Sequence, residues 1–159
     1  MPAAMRKPKL QIDDPAQIEE ILRRGQVLRL AMCRDGQPYL VPLHYAYGDG
    51  RIYLHTGHEG LKMEFLAANP RVCFEVSVDV ELVPGPAACK WNCRYRSVLG
   101  FGRAFRVEDQ AERMRGLLAI SRRYAGPGPQ ELPAEACARA CVLRIDIDEL
   151  TGKRNPVED

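Results

Sequence analysis

Arg51-Ile52-Tyr53-Leu54-His55-Thr56-Gly57-His58-Glu59-Gly60-Leu61-Lys62 reads as a β-strand that runs through a glycine-bracketed turn directly into a helix. The first turn of a helix has backbone N–H groups with no internal partner, and its dipole places partial positive charge there, so such a junction suits a phosphate. Working backward, the strand is preceded by Gln26 to Arg34, then Asp35-Gly36, then Gln37 to Tyr47, then Gly48-Asp49-Gly50. Asp-Gly is a strong two-residue hairpin signal, and these three strands form an antiparallel meander.

Outside the meander the pattern continues. Asp14 with Pro15 is an N-cap and first-helical-residue pair with Gln17 at the capping-box position, which predicts a helix from Pro15 to Arg24 stopped by Gly25. The helix after Gly57, taken to begin near His58, runs to Ala68 and stops before Asn69-Pro70. A valine-rich strand follows over Arg71 to Val83, and Pro84-Gly85-Pro86 breaks it. From Tyr95 to Val107, bulky Leu99, Phe101, Phe105 and Val107 alternate with small Val98, Gly100, Gly102 and Ala104, so the bulky face is expected inside and the small face open to a backbone or ligand. Glu108-Asp109 opens an amphipathic helix to Tyr124 whose arginines are expected to be solvated. Ala125 to Pro133 is a Gly/Pro loop and Ala138 to Asp146 a last strand. Six strands interrupted by helices that do not alternate with them favour a mainly β architecture, an antiparallel barrel with helices packed outside.

Composition narrows the function. The 159 residues suit a single domain over 1–159, long enough to bury roughly two thirds of the unfolded surface. With Lys+Arg 23 against Asp+Glu 21 the net charge is +2, so no whole-chain field recruits nucleic acid or a membrane surface, and any anion site must be local. Met5-Arg6-Lys7-Pro8-Lys9 lacks the apolar run of a signal peptide, and no eighteen-residue apolar stretch follows anywhere, so a cytoplasmic protein is expected. Six cysteines then point to reduced thiols. Cys89 with Cys93, and Cys137 with Cys141, are spaced more widely than structural zinc knuckles usually are, and no metal site is assigned. No Gly-x-Gly-x-x-Gly or Walker sequence is present.

At the junction, Lys62 one turn into the helix would aim its ammonium back at the first turn, Thr56 adds a hydroxyl from the strand end, and Gly57 and Gly60 allow close approach. If Asp49-Gly50 is a two-residue turn, Gly48 pairs with Arg51 and His44 falls opposite His55, a pair suited to a metal, to haem or to a flavin edge; a three-residue loop would instead set His55 against Leu43. Farther on, Lys90-Trp91-Asn92-Cys93-Arg94-Tyr95-Arg96-Ser97 combines cations for phosphate with aromatic rings for a planar ligand. It also reads as an edge strand protected by charge.

The succession Gln37-Pro38-Tyr39-Leu40-Val41-Pro42-Leu43-His44-Tyr45-Ala46-Tyr47, the Gly48 to Thr56 segment, Gly60-Leu61-Lys62, Asn69-Pro70-Arg71-Val72-Cys73-Phe74 and Tyr95 to Gly102 resembles the pyridoxamine 5'-phosphate oxidase-like flavin-binding split barrels, and within them the nitroimidazole-resistance branch. Met5-Arg6-Lys7 and Thr151-Gly152-Lys153 are similar to that branch as well, so nearly the whole chain is covered. The resemblance implies a homodimer of six-stranded antiparallel split barrels that holds FMN between subunits. Thr56 and Lys62 would contact the FMN phosphate with Arg96 and Ser97 nearby, while Val41, Pro42, Leu43 and His44 would lie along the ring. Trp91 would cover the ring from the partner subunit, and His55 would be the catalytic residue nearest the substrate. The implied activity is electron transfer from NADH or NADPH to a nitroaromatic or similar small acceptor. The alternative is a flavin- or haem-binding storage or sensor protein on the same barrel, and related barrels also bind F420.

Overall fold

The computed structural model describes residues 5–126 and 132–156. Its strands are β1 (Gln11–Ile12), β2 (Leu28–Arg34), β3 (Gln37–Leu43), β4 (Tyr45–Gly48), β5 (Arg51–Thr56), β6 (Arg71–Val83), β7 (Asn92–Arg106) and β8 (Cys141–Asn155). Its helices are α1 (Pro15–Arg24), α2 (Leu61–Ala68), α3 (Gln110–Ala125) and α4 (Ala134–Arg139). Part of the expected Gly/Pro loop, 127–131, lies outside the described residues.

Both Asp-Gly hairpins form. Asp35 and Gly36 have φ of 50° and 80°, and Asp49 and Gly50 have 51° and 70°, so each turn carries two positive φ values as type I′ requires. All ladders are antiparallel, in the order β3-β2-β6-β7-β8-β5-β4 with β1 added on β8. The two edge strands of that path, β3 and β4, are consecutive in the chain and joined by His44 alone. Successive Cα atoms are about 3.8 Å apart, so the sheet must curl until its edges lie within about 8 Å at this corner. The barrel is therefore closed there by the chain and split in its hydrogen bonding. The expected Gln37 to Tyr47 strand is thus divided at His44, and with the two-residue β1 the six anticipated strands become eight.

Leu28, Leu30, Ile52, Leu54, Val76, Val98 and Ile145 are fully buried inside the curl, and Tyr45 and Phe74 fill its middle. Asp14 caps α1 by accepting from the Ala16 N–H at 2.9 Å, whereas Gln17 donates to the Asp14 carboxylate rather than reaching the cap's backbone. Ile21 and Leu22 of α1 are completely buried.

The faces of β7 are the reverse of the sequence expectation. Val98, Gly100, Gly102 and Ala104 point inward, while Leu99, Phe101 and Phe105 are 41%, 42% and 38% exposed. The reason is Phe74: a Cβ on Gly100 would stand 2.1 Å from its Cζ, so the ring occupies the volume that a larger β7 residue would need. Val107, just past the strand, is buried as anticipated.

The last strand also differs from Ala138 to Asp146. A short helix takes residues 134–139, and β8 extends to Asn155 because it pairs with β5, β7 and β1 in turn. A register shift between Phe101 and Gly102 of β7 absorbs Asp148 as the extra residue. Among the described residues no helix is long and apolar enough to cross a membrane.

Candidate functional site

β5 ends at Thr56, whose ladder partner is Cys141 at the start of β8. The chain then crosses Gly57 to Gly60, and α2 begins at Leu61 rather than near His58. Gly60 is the N-cap, with φ 109°, a conformation glycine adopts without steric cost. Met63 and Glu64 donate to the Gly60 carbonyl at 2.9 and 3.2 Å, and no side chain caps the helix. The N–H groups of Leu61 and Lys62 therefore keep their donor capacity for an anion. Lys62 lies in this first turn itself, closer to the helix end than expected.

Lys62 is half-buried and forms no ion pair among the described residues. Burial holds its ammonium below the usual lysine range. Burial likewise pushes the neighbouring Cys141 thiol up. A half-buried ammonium with no ion pair among the described residues, in the first turn of a helix that no side chain caps, has the chemistry that suits a phosphate.

The three histidines have separate surroundings. The carbonyl of Arg139 accepts from His58 Nε2 at 2.6 Å and the Arg106 guanidinium donates to Nδ1 at 3.0 Å, a pairing that matches the tautomer with its proton on Nε2. His58 is thereby a tie between the junction, α4 and β7. The two-residue Asp49-Gly50 turn sets Gly48 opposite Arg51, and that register extended to its end would set His44 opposite His55. The ladder stops one pair short, at Tyr45 and Leu54, and the His44 ring stacks 4.4 Å from that of Tyr124. His55 is exposed at the end of β5.

Val41 and Leu43 of β3 pack partly on the core and Pro42 is exposed. Proline is tolerated there because β3 is an edge strand, whose outer row of backbone groups lacks a ladder partner. One protomer thus sets His55 and Thr56 at the end of β5, Lys62 near Cys141, the ladder partner of Thr56, and Val41, Pro42, Leu43 and His44 at the end of β3 that leads into the Tyr45–Leu54 pair of β4 and β5. It does not bring Trp91, Arg96 and Ser97 there. Arg96 and Arg106 are ten residues apart on β7, about 33 Å of strand, and it is Arg106 that meets the junction. Arg96 is also engaged, pairing with Glu20 and Asp79 at 2.6 Å each, while Ser97 pairs with Ser77 and Lys153 and Trp91 is 54% exposed just before β7. The cysteine pairs sit apart in the same way, with Cys93 at the start of β7 and Cys141 at the start of β8, and all six thiols are free.

Sequence reasoning missed Tyr124 and Arg123. The Tyr124 hydroxyl accepts from the Tyr45 N–H at 3.1 Å and donates to the Gln26 carbonyl at 2.7 Å, while Arg123 donates to the carbonyls of Arg23 and Gly25 and lies over the Tyr45 ring. The end of α3 thereby locks the corner at which β3 turns into β4. Arg123 is thus half-buried rather than solvated, and only its place beside a tyrosine at the end of an amphipathic helix hinted at it.

A curled antiparallel sheet, continuous through its ladders but split in hydrogen bonding between β3 and β4, with a helix start that no side chain caps following β5, defines a split barrel. The chain belongs to the family described as pyridoxamine 5'-phosphate oxidase, whose sequence profile matches residues 14–154. An uncharacterized protein of Rhizobium meliloti (strain 1021), RA0666, is 30% identical over 145 residues, which are 84% of this chain and 87% of that protein. Among solved structures, a candidate 5-nitroimidazole antibiotic resistance protein from Bacteroides thetaiotaomicron is 30% identical with a TM-score of 0.80, over 91% of this chain and 86% of that one. A FAD- and haem-binding protein from Mycobacterium smegmatis has a TM-score of 0.82 at 21% identity, over 94% and 76% of the two chains, and shows the fold alone.

Proposed function

We propose that this protein is an FMN-dependent oxidoreductase that passes electrons from NADH or NADPH to a nitroaromatic or related small acceptor. The supporting observation is the unpaired, half-buried Lys62 at the uncapped start of α2. Lys62, Thr56 and the first-turn N–H groups would hold the FMN phosphate, and the outer backbone edge of Val41 to His44 would lie along the ring. FMN, when bound, supplies two-electron transfer. The chain's own work is to fix the ring against β3, keep water from one side of it, and present His55. An imidazole N–H of His55 would hold the proton delivered to the reduced acceptor. The resistance protein from Bacteroides supports this substrate class by its name and by 30% identity.

The same reading makes the protein a cytoplasmic homodimer. Trp91, Arg96 and Ser97, at the far end of β7, would reach a flavin only across a subunit boundary. The exposed row of Leu99, Phe101 and Phe105 is the surface such a boundary would cover. Because two carboxylates already occupy the Arg96 fork, Lys62 and Thr56 carry the phosphate in this scheme.

The visible spectrum of the purified protein is the first test. Flavin bands support the proposal, a Soret band replaces it with the haem-binding alternative, and a colourless protein that rejects added FMN refutes both. Oxidation of NADH or NADPH that is accelerated by a nitroimidazole supports an enzyme over a binding protein, and analytical ultracentrifugation reads the dimer directly.

A further inference from the structure

The end of β8 opposite the Thr56 corner carries a second cationic site. Lys153 is paired to Gln11 of β1 on one side and to Ser97 of β7 on the other, and Asn155 is paired to Tyr95. The segment from Arg6 to Leu10 runs past this end, and between it and the strand ends open grooves of about 550 and about 230 Å³. Arg6, Lys7, Lys9 and Lys153 line them, and none forms an ion pair among the described residues. The contrast with the adjoining β7 arginines is direct, since Arg94 is matched by Glu81 and Arg96 by Glu20 and Asp79. Four neighbouring like charges repel one another, and an anion in the grooves offsets that cost.

The groove also offers a ring. Tyr95 lines it with the Lys153 ammonium 5.8 Å from its centroid, and the Asn155 amide donates to the Cys93 carbonyl at 2.6 Å and to Asn92, which fixes the chain just after the exposed Trp91. Cations for phosphates beside an aromatic face for a planar base are the recognition elements of a nucleotide. We propose that this groove binds the adenosine-phosphate portion of a dinucleotide, with the phosphates on Arg6, Lys7, Lys9 and Lys153 and the base on Tyr95. Two molecules carry that chemistry, the reduced nicotinamide donor and the adenylate half of FAD. The assignment rests on the proposed function only for the ligand's role as donor or flavin, because the cation cluster and the ring stand without it. The groove is distinct from the Lys62 corner, since β8 separates Cys141, beside Thr56, from Lys153 by twelve residues.

The single tryptophan, Trp91, provides the readout. Full-length protein as purified is titrated with ADP, adenosine 2',5'-bisphosphate, FAD, FMN and inorganic phosphate while Trp91 fluorescence is followed. The adenosine phosphates are expected to bind saturably, Lys9→Gln with Lys153→Gln to weaken them about tenfold or more, Tyr95→Leu to weaken ADP more than phosphate, and Lys62→Met to leave ADP within twofold. Should the Lys153 change lower thermal stability, the exposed pair Arg6→Gln with Lys7→Gln tests the same point. Competitive inhibition of NADPH oxidation by the bisphosphate assigns the groove to the donor, and FAD binding tighter than FMN by a margin lost in the double variant assigns it to the flavin's adenylate. Absence of saturable binding, phosphate binding as tightly as ADP, or an equal loss on Lys62→Met overturns the proposal. Failure of the flavin reading looks different, a colourless protein that still binds ADP.

Discussion

Lys62→Met tests the corner most sharply because it acts with opposite signs on the empty and the loaded protein. A charge-assisted hydrogen bond to a phosphate contributes about 1.5–3 kcal/mol, so losing it raises the FMN dissociation constant roughly ten- to hundredfold. Without FMN the sign reverses. Burial lowers the Lys62 pKa below 10.5, so the folded state binds this proton less tightly than the unfolded chain does. The contribution to stability therefore rises as pH climbs toward the unfolded lysine pKa, and at neutral pH the half-buried ammonium is a net cost. Methionine keeps the aliphatic stem and removes that cost. The apoprotein variant should melt at or slightly above the wild-type temperature, and saturating FMN should stabilise it much less than wild type, because ligand stabilisation follows the ratio of concentration to dissociation constant. Thermal denaturation with and without FMN, with a flavin-fluorescence titration, measures both halves. An FMN affinity within twofold of wild type refutes the phosphate role. A destabilised apoprotein refutes the claim that the cation lacks a compensating partner.

Further outcomes follow from the same geometry. Gly100→Ala drives a methyl into Phe74 and should cost about 1–3 kcal/mol by urea denaturation, with the cost shrinking in a Phe74→Leu background; an unchanged midpoint would contradict the inward orientation of the small β7 face. His55→Ala should retain flavin absorbance and lose roughly a hundredfold or more in turnover, and unchanged turnover with flavin bound removes His55 from the chemistry. The Glu20 carboxyl is held below its ordinary range by hydrogen bonds from Arg96 and then Arg24, and that of Asp79 by Arg24 and then Arg96. Stability from both is present above the unfolded carboxylate pKa and is lost as pH falls through the depressed folded values, so Arg96→Met should flatten the acid limb of the stability curve below about pH 4. An acid limb of unchanged slope would show that the cluster does not couple folding to protons.

What could be seen in the sequence was local. Asp35-Gly36, Asp49-Gly50 and Asp14-Pro15 act through their own backbone preferences, and each forms its expected turn or cap. Thr56 and Lys62 could be picked out because a strand running through glycines into a helix is a contiguous signal. Interactions between distant residues were not legible. α2 starts later than the local sequence predicts because His58 is claimed by Arg106 and Arg139, 48 and 81 residues away, leaving Gly60 to form the cap. The β7 faces are the reverse of what bulk alone predicts because the partner strand already fills the space with Phe74.

The same contrast accounts for the corner itself. Nothing near His44 marks it as a break, since Gln37 to Tyr47 alternates as a continuous strand would. The break is imposed from α3, where Tyr124 takes the Tyr45 N–H and stacks on His44 while Arg123 binds the carbonyls at the end of α1. The break at His44 leaves the outer backbone edge of β3 without a ladder partner just where β4 takes up its pairing with β5, so the helix end that holds this corner also keeps free the edge along which the proposed flavin ring would lie.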